Sequence, residues 1–324
     1  MRRARRFVAA ALACSLSTSV LAAEGPSIAG PIGGTDIRSA AHPPPGLYAG
    51  GILFPVDAFD FADGHEQSIP ALADAKLRRI VGGLLVGYVP KLEVFGGSIA
   101  LLGVASYGRI CGHLFASTPK SCQSGFGDPY VEASWSRFIG SLRPSRQKDA
   151  LPITQGLAIA LGFGAVVPIG QYDSTDPTTR ALSNGNNIWV FAPNLALTYT
   201  TPPIFAEGTE FSTKIYWNKY RTNPATQYST GDLINIDFAV SERLGRFQAG
   251  AAGFYARQVS DDRLYGIPVP PEGQRARLLN VGPVVAYDMP EHGAFVKIKA
   301  LSTVLVRNSA HSRGVVFSLL KKLN

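Results

Sequence analysis

Charged side chains that recur at every second position are the features of this 324-residue sequence with the clearest potential for chemistry. Residues 210–218 place Glu210 and Lys214 in one alternating series and the apolar Ile215 and Trp217 in the other. A period of two puts each series on its own face of a β-strand. The segment therefore predicts a strand with one apolar face and one face that carries charge.

The same alternation occurs in other segments and defines a set of side chains that we assign to the interior of a closed sheet. The set consists of Asp128, Tyr130, Glu132, Glu210, Lys214, Asp237, Lys297 and Lys299. These groups could line a passage for water and solutes, or they could pair across strands and plug a narrow barrel. Alternation alone also fits a soluble β-sandwich, so the membrane must be argued from other features.

Catalytic and cofactor-binding patterns are absent from the sequence. All five histidines fall in predicted loops, turns or the N-terminal segment: His42, His65, His113, His292 and His311. A serine nucleophile needs a base within hydrogen-bond reach, and no predicted strand carries a serine–histidine pair. The glycine-rich stretch 30–34 lacks the lysine of a phosphate-binding loop. We predict that the protein is not an enzyme and binds no cofactor.

Two cysteines, Cys111 and Cys122, lie close together in the sequence. In an oxidising compartment such a pair predicts a disulfide, with free thiols as the alternative. A metal site fits less well, because the nearby His113 would complete a set of only three ligands. We therefore predict a disulfide and no metal site.

Residues 1–23 have the order of charge, apolar run and small residues that is typical of a cleaved signal peptide. Four arginines come first, an apolar run extends from Phe7 to Leu21, and Ala22 belongs to the cleavage pattern. A single membrane helix is the alternative, but the run is short and close to the start. The leader carries four of the charges behind the net +8, so the remaining balance is mild and does not indicate nucleic-acid binding.

Residues 24–45 form a Gly- and Pro-rich segment that we predict to be irregular and that could lie in a barrel lumen. Residues 46–324 predict an all-β transmembrane barrel, antiparallel and up-and-down, of about twelve strands. The predicted strands are 47–60, 77–89, 92–108, 126–138, 153–167, 187–200, 206–220, 232–243, 246–259, 276–288, 294–306 and 313–321.

Long and short connections alternate between these strands, as they do in outer-membrane barrels, whose two rims face different compartments. The odd-numbered connections, expected at the outer rim, are 61–76, 109–125, 168–186, 221–231, 260–275 and 307–312. Four of the five even-numbered connections are short, and 139–152 is the exception. We predict the cell outer membrane as the location, with its lipid and the barrel-assembly machinery as partners.

Aromatic residues near the predicted strand ends fit a girdle at the membrane surfaces, with ordinary strand propensity as the alternative. They are Tyr88, Tyr107, Phe138, Trp189, Tyr199, Tyr220 and Tyr287. Pro168 and Pro193 lie in or near strands and cannot donate to the ladder. Kinks at these prolines prompt the hypothesis that an apolar substrate leaves sideways through the wall.

Several motifs, in the same order along the chain, resemble one family of outer-membrane proteins. They are Pro43-Pro44-Pro45-Gly46-Leu47-Tyr48, Gly125-Phe126-Gly127-Asp128-Pro129-Tyr130-Val131, Val167-Pro168-Ile169-Gly170-Gln171-Tyr172-Asp173, Asn184-Gly185-Asn186-Asn187-Ile188-Trp189, Asn218, Tyr228-Ser229-Thr230-Gly231-Asp232, Gln258-Val259-Ser260-Asp261-Asp262 and Val281-Gly282-Pro283-Val284. The family is named for the meta pathway of phenol degradation and is also called SphA-like. The resemblance implies an outer-membrane transporter or porin for apolar nutrients.

Three functions are therefore open. The first is a transporter or porin-like channel for small hydrophobic or aromatic molecules. The second is a structural or adhesion barrel whose long loops bind outside partners, without transport activity. The third is a barrel enzyme that modifies lipids.

Overall fold

The computed structural model describes residue 24 and residues 28–113 and 119–324, without the side chains of Thr178 and Glu272. The predicted signal peptide, 1–23, lies outside the described residues. Within them the chain is almost entirely β-structure, and no helix is long and apolar enough to cross a membrane. A short helix, Pro177–Ala181, lies in one of the long connections.

Twelve long strands, numbered here in chain order, form the main sheet. They are β1 (Gly46–Ala62), β2 (Lys76–Val89), β3 (Gly97–His113), β4 (Tyr130–Arg143), β5 (Ile153–Val166), β6 (Val190–Thr200), β7 (Thr209–Tyr220), β8 (Leu233–Leu244), β9 (Phe247–Gln258), β10 (Arg277–Met289), β11 (Ala294–Arg307) and β12 (Ser309–Lys322). Each strand is antiparallel to its neighbours in the chain, and β1 pairs with β12 as well as with β2. The sheet is thus a closed barrel, and the predicted fold is confirmed.

The alternating pattern of the sequence explains why the strands close in this way. On β8, Leu233, Asn235, Asp237 and Ala239 are buried, while Ile234 between the first two is exposed. The polar and small side chains therefore point inward and the larger apolar ones outward, the reverse of a soluble sandwich core. Closure gives each of the twelve strands a paired neighbour on both sides, which satisfies ladder donors that would otherwise face lipid.

The two rims differ in the length of their connections. At one rim the connections are 90–96, 144–152, 201–208, 245–246 and 290–293, and both ends of the barrel, Gly46 and Lys322, lie there. At the other rim they are 63–75, the described residues 119–129, 167–189, 221–232 and 259–276. We call the first the inner rim and the second the outer rim.

The predictions that residues 109–125 and 307–312 form loops are wrong in part. β3 continues to His113, and Ser121–Phe126 returns along it, with Cys111 paired to Cys122 and joined to it by a disulfide. The sixth outer connection, predicted at 307–312, is Asn308 alone, with φ 47°. In both places the strands continue beyond their predicted ends, with β3 paired to residues 121–126 and β12 paired to β1 as far as Ser309.

Two of the long connections pack against each other at the outer rim. Phe61, Leu72 and Ile110 form a buried apolar cluster with Leu182, which follows the short helix. The connection between β5 and β6 thus packs over the mouth of the barrel against the connection between β1 and β2. Because these contacts are apolar, they hold the two connections together without a charged partner.

Most of the predicted girdle residues face outward, but two do not. Tyr88, Tyr107 and Tyr199 are each about half exposed on the outer face. Tyr220 is buried, and its hydroxyl donates to the carbonyl of Ala29 inside the barrel. Phe138 lines a cavity at the inner end of the lumen. Both lie in the inward series of their strands, so alternation would have separated them from the girdle.

The lumen as candidate functional site

Residues 28–45, here called the N-terminal segment, run through the interior of the barrel. A single carboxylate, Asp237 of β8, accepts hydrogen bonds from the backbone amides of Gly33 (2.8 Å) and Thr35 (2.9 Å) and from the Thr35 hydroxyl. It also accepts one from Asn235. Asp237 is fully buried, so these donors replace the water that the charge would otherwise require.

Asp36 of the segment lies between two lysines of β11. Lys299 Nζ is 2.8 Å from one carboxylate oxygen, and Lys297 Nζ bonds to the other. Lys299 also donates to the carbonyl of Gly33 at 2.7 Å. The carboxylate is wholly buried and contacts both ammonium groups, so the two lysines share one anion and the three groups carry a formal net charge of +1.

Arg38 is the third anchor of the segment. Its guanidinium makes paired bonds to the Asp288 carboxylate on β10, both at 2.9 Å, and also bonds to Gln248. The Arg38 backbone amide donates to Glu210 at 2.7 Å. Arg243 of β8 lies 2.7 Å from the same Asp288. Strands β8 and β10, which both pair with β9, are therefore joined to the segment through one carboxylate.

Glu132 of β4 and Lys214 of β7 form an ion pair across the lumen, at 2.7 Å. Tyr130 donates its hydroxyl to the second oxygen of Glu132 at 2.6 Å, and Asn194 donates to the same oxygen. All of these side chains are buried or half-buried. The arrangement favours the interpretation that the lumen charges pair across strands and plug a narrow barrel, because opposite charges contact each other instead of lining open water.

Seven of the eight predicted lumen residues lie on the inner faces of strands, and Asp128 does not. Asp128 lies in the connection before β4 and accepts hydrogen bonds from the backbone amides of Gly170 (2.8 Å) and Asn186 (2.6 Å). Burial raises the pKa of this carboxyl, although those amide donors oppose the effect. Its position ties two outer connections together, which is the turn-capping role of aspartate.

Strand β5 makes room for these groups because its inner face carries only small side chains and one valine. The inner series is Gly156, Ala158, Ala160, Gly162, Gly164 and Val166. A side chain at Gly162 would strike the Asn194 amide, and one at Gly164 would strike the Tyr130 hydroxyl. Ala40 of the segment packs against Ala158 and Ala160. Small residues are thus required where the segment and the ion pair approach the wall.

The remaining wall of the lumen has a different character. The inner faces of β12, β1, β2 and β3 carry mainly apolar side chains, including Ile52, Phe54, Val56, Val81, Leu85, Leu102, Val104, Val316 and Leu320. Each of them is half-buried, not covered. We call this the apolar wall, and the inner faces of β4 to β11 the polar wall. Space beside the apolar wall is left free by the segment.

Cavities mark both ends of that space. Near the outer rim, about 190 Å³ is enclosed by Phe54, Val56 and Leu278 together with Ile28 and Ile32 of the segment. Near the inner rim, about 160 Å³ is enclosed by polar and aromatic groups, among them His42, Ser98 and Phe138. The lumen is therefore narrow and partly filled, with an apolar outer cavity and a more polar inner one.

His42 reaches serines that the sequence analysis did not connect with it. Its two ring nitrogens form hydrogen bonds with Ser98 of β3 (2.9 Å) and Ser134 of β4 (3.0 Å). Both nitrogens are occupied, so the histidine ties the end of the segment to the wall. Among the described residues, no group of three or more His, Cys, Asp or Glu side chains could hold a metal ion.

Sequence reasoning missed the segment's own functional side chains. Asp36, Arg38 and His42 lie in a stretch without periodicity, which gives no indication of the strand each one faces. Arg243 and Asp288 were also missed, although each lies in the inward series of its strand. Continuing the alternation of β8 and β10 to the strand ends would have found them.

Known proteins that match the chain agree with this architecture. The family model described as Putative MetA-pathway of phenol degradation matches residues 57–319. The COG4313 outer membrane channel from Pseudomonas putida F1 is 16% identical, over 89% of this chain and 99% of that one, with a TM-score of 0.70. That likeness shows a shared fold. No curated protein sequence matches.

Two autotransporter barrels are more distant. The β domain of the Bordetella autotransporter BrkA is 11% identical, over 86% of this chain and 99% of that one, with a TM-score of 0.45. The translocator domain of NalP from Neisseria meningitidis is 9% identical, over 85% and 88%, with a TM-score of 0.46. Neither likeness is close enough to carry an argument.

Proposed function

Because the chain belongs to the family described as the Putative MetA-pathway of phenol degradation, we propose that it is an outer-membrane channel for small hydrophobic or aromatic molecules. The closed barrel, its apolar outer face and its unequal rims support the outer membrane as its location. A cleaved signal peptide at residues 1–23 belongs to the same proposal.

The apolar wall is the observation that carries the choice of substrate. Its side chains are half-buried inside the barrel, where a narrow aqueous pore would be expected to present polar groups. An apolar solute that moves along Phe54, Leu85 and Leu102 removes apolar surface from water, at about 25 cal/mol for each Å². A sugar or an ion gains nothing from that wall, so the wall discriminates between the two classes.

The N-terminal segment supports the same choice. It is fixed by buried ion pairs on one side of the lumen, and it narrows the route that a hydrated solute would need. An apolar solute sheds its water at no cost and can pass through a space too narrow for a hydrated ion. The segment and the apolar wall would together exclude polar solutes without blocking small apolar ones.

A lateral route is part of the proposal, at the junction of β3 and β4. Their ladder holds only the seven pairs from Ser98–Ser136 to Val104–Tyr130, while the next ladder, β4 to β5, holds the fourteen from Tyr130–Val166 to Arg143–Ile153. An apolar groove of about 580 Å³ lies on the outer face there. Leu102 and Glu132, which face the lumen, also line this groove.

The groove lies over paired residues of β3 and β4, from Leu101–Ala133 to Gly103–Val131, so a lateral route requires these two strands to separate there. Gly103, Ala133 and Ala165 supply the small side chains that form the groove. The position differs from the kinks at Pro168 and Pro193 that prompted the lateral hypothesis. Pro193 lies within β6 and faces Phe163, and Pro168 lies beyond the end of β5.

Uptake by whole cells tests the proposal. Cells without the gene should take up radiolabelled toluene several-fold more slowly than cells that carry it. Leu102→Asn should lower uptake, because it places an amide on the apolar wall, and Leu102→Met should preserve it. A heat-modifiability gel verifies that each variant is folded. Equal uptake by cells with and without the gene would refute the substrate, and would leave a structural or adhesion role.

A disulfide across the β3–β4 junction tests the lateral route separately. Gly103 and Val131 are directly paired on β3 and β4, so cysteines at these two positions can be joined. The oxidised pair should slow toluene uptake, and reduction should restore it. A matched pair at Ala133 and Phe163, across β4 and β5, should change nothing. Unchanged uptake in the locked β3–β4 variant would assign the substrate to the axial passage.

A further inference from the structure

A groove lined by arginines lies at the outer rim and has no part in the proposed passage. Arg257, Arg277 and Arg307 occupy directly paired positions on β9, β10 and β11. Arg275, from the connection before β10, lines the same groove. The groove has a volume of about 730 Å³. Three arginines in register across adjacent strands repel one another, so their alignment needs an explanation.

The three arginines point away from the lumen. Their chain neighbours Ala256, Leu278 and Val306 are also paired with one another, and Ala256 and Leu278 belong to a cluster on the inner face. Successive residues of a strand face opposite sides of the sheet. The arginine row therefore belongs to the outer surface of the barrel, on the side that meets the membrane.

The depth of the row is fixed by the residues beneath it. Two positions further into the barrel, Tyr255, Leu279 and Leu305 form the next outward row of paired residues. These apolar and aromatic side chains belong to the lipid-facing band. The arginines are thus the first charged row above that band, at the level where lipid headgroups meet water.

The charge of the groove is only partly compensated. Arg275 pairs with Asp261 at 2.7 Å. Asp63, the other carboxylate of the lining, accepts hydrogen bonds from the backbone amides of His65 and Gln67. Among the atoms that the structure describes, the buried Nε atoms of Arg277 and Arg307 have no hydrogen-bond partner. Buried donors of this kind call for an acceptor such as water, an ion or a ligand.

We propose that this groove binds a phosphate group of the phosphorylated glycolipid that forms the outer leaflet of the outer membrane. Guanidinium groups present planar pairs of N–H donors that match phosphate oxygens, and such charge-assisted bonds are about twice as strong as neutral ones. The arginine row lies on the outward face of β9, β10 and β11, next to the lipid-facing band, so a lipid phosphate reaches it more directly than a free one.

Binding to the purified, refolded barrel in phosphatidylcholine nanodiscs tests the assignment. Lipid A, dephosphorylated lipid A and inorganic phosphate are added separately, and native mass spectrometry counts the bound molecules. Lipid A should bind the unaltered protein. The double variant Arg277→Gln, Arg307→Gln should bind it at least about tenfold more weakly, since it loses charged hydrogen bonds. Arg137→Gln, an exposed position on β4 outside the groove, is the matched control.

Each outcome decides the proposal. Tight binding of lipid A that needs both its phosphates and the two arginines supports it. Equal binding of dephosphorylated lipid A, or equal binding by the double variant, overturns it. Inorganic phosphate bound as tightly as lipid A would make the groove a solute site and overturn the lipid assignment. If the double variant does not fold, Arg277→Gln alone serves, with Arg277→Lys as the variant that retains the charge.

Discussion

The polar wall and the apolar wall enclose one lumen, but the N-terminal segment covers only the polar wall. On the polar wall, Asp237 and Asn235 are fully buried, because the N-terminal segment covers them. On the apolar wall, Val56 and Leu102 are only half-buried. The buried hydrogen bonds of the lumen are thus concentrated on the polar wall, and the apolar wall is left uncovered.

The difference teaches where a plug can be held in a narrow barrel. An isolated charge is costly in a small lumen, but charges that meet a partner can fix a segment at a single register. Thr35, Asp36 and Arg38 do this within a few residues of the segment. The Thr35 amide bonds to the Asp237 carboxylate, Asp36 to Lys299, and Arg38 to Asp288. Apolar side chains provide no such directional bonds. The wall that lacks anchors is therefore the wall along which something else can move.

Deleting most of the N-terminal segment, which fills part of the lumen, should have the largest effect. A variant without residues 28–42 loses the partners of Asp237, Lys299 and Asp288, so the polar wall becomes open to water. Single-channel conductance in a planar bilayer should rise several-fold. A synthetic peptide of residues 28–42 should lower the conductance again, and a scrambled peptide should not. Unchanged conductance after the deletion would mean that the segment does not restrict the lumen.

Substitution of a single buried carboxylate, that of Asp36, should have the next largest effect. Asp36→Asn leaves Lys297 and Lys299 buried without their anion, and breaking a buried ion pair costs about 3–5 kcal/mol. Urea titration of the refolded barrel should show this loss in the free energy of unfolding, or early release of the segment to added protease. Asp74→Asn, at an exposed position of the outer connection 63–75, is the control and should behave like the unaltered protein. Equal stability of both variants would contradict the anchoring role.

The polar wall was largely predictable from the sequence, but the contacts of the N-terminal segment that covers it were not. A period of two is local, so it places Glu132, Lys214 and Lys299 on the inner face without knowledge of the fold. The bonds of Arg38 to Asp288 join residues 250 positions apart, and nothing periodic surrounds Arg38. Long-range pairing of an irregular segment leaves no local trace. The apolar wall was missed for another reason, since apolar residues on both faces of β1 to β3 conceal the alternation.

Two matched valines test the comparison directly. Val284→Ala on the polar wall removes two buried carbon atoms and should cost about 1.5 kcal/mol, at about 0.8 kcal/mol for each. Val56→Ala on the apolar wall should cost less than about half as much, because the side chain is only half-buried. Chemical unfolding measures both. If the two variants lose equal stability, the apolar wall is as well covered as the polar wall.

The turns beneath the polar wall should give the smallest effect, and one that depends on pH. The Glu207 carboxylate accepts bonds from Ser145 and from the backbone amides of Arg146 and Gly245, and so joins three inner-rim connections. Burial alone would raise the pKa of Glu207, but these donors outweigh it and hold the pKa below its ordinary value of 4.5. Glu207→Gln should cost about 1 kcal/mol near neutral pH.

The sign of the pH dependence follows from that lowered pKa. Because the folded protein favours the carboxylate, the stabilisation is complete above the ordinary pKa of 4.5 and is lost as the pH falls through the folded pKa. The unaltered protein and Glu207→Gln should therefore differ in unfolding free energy at pH 6–8 and converge below pH 4.5. Glu93→Gln, at an exposed position of the inner-rim connection 90–96, is the comparison. A difference that persisted in acid would mean that Glu207 acts through packing, not through its charge.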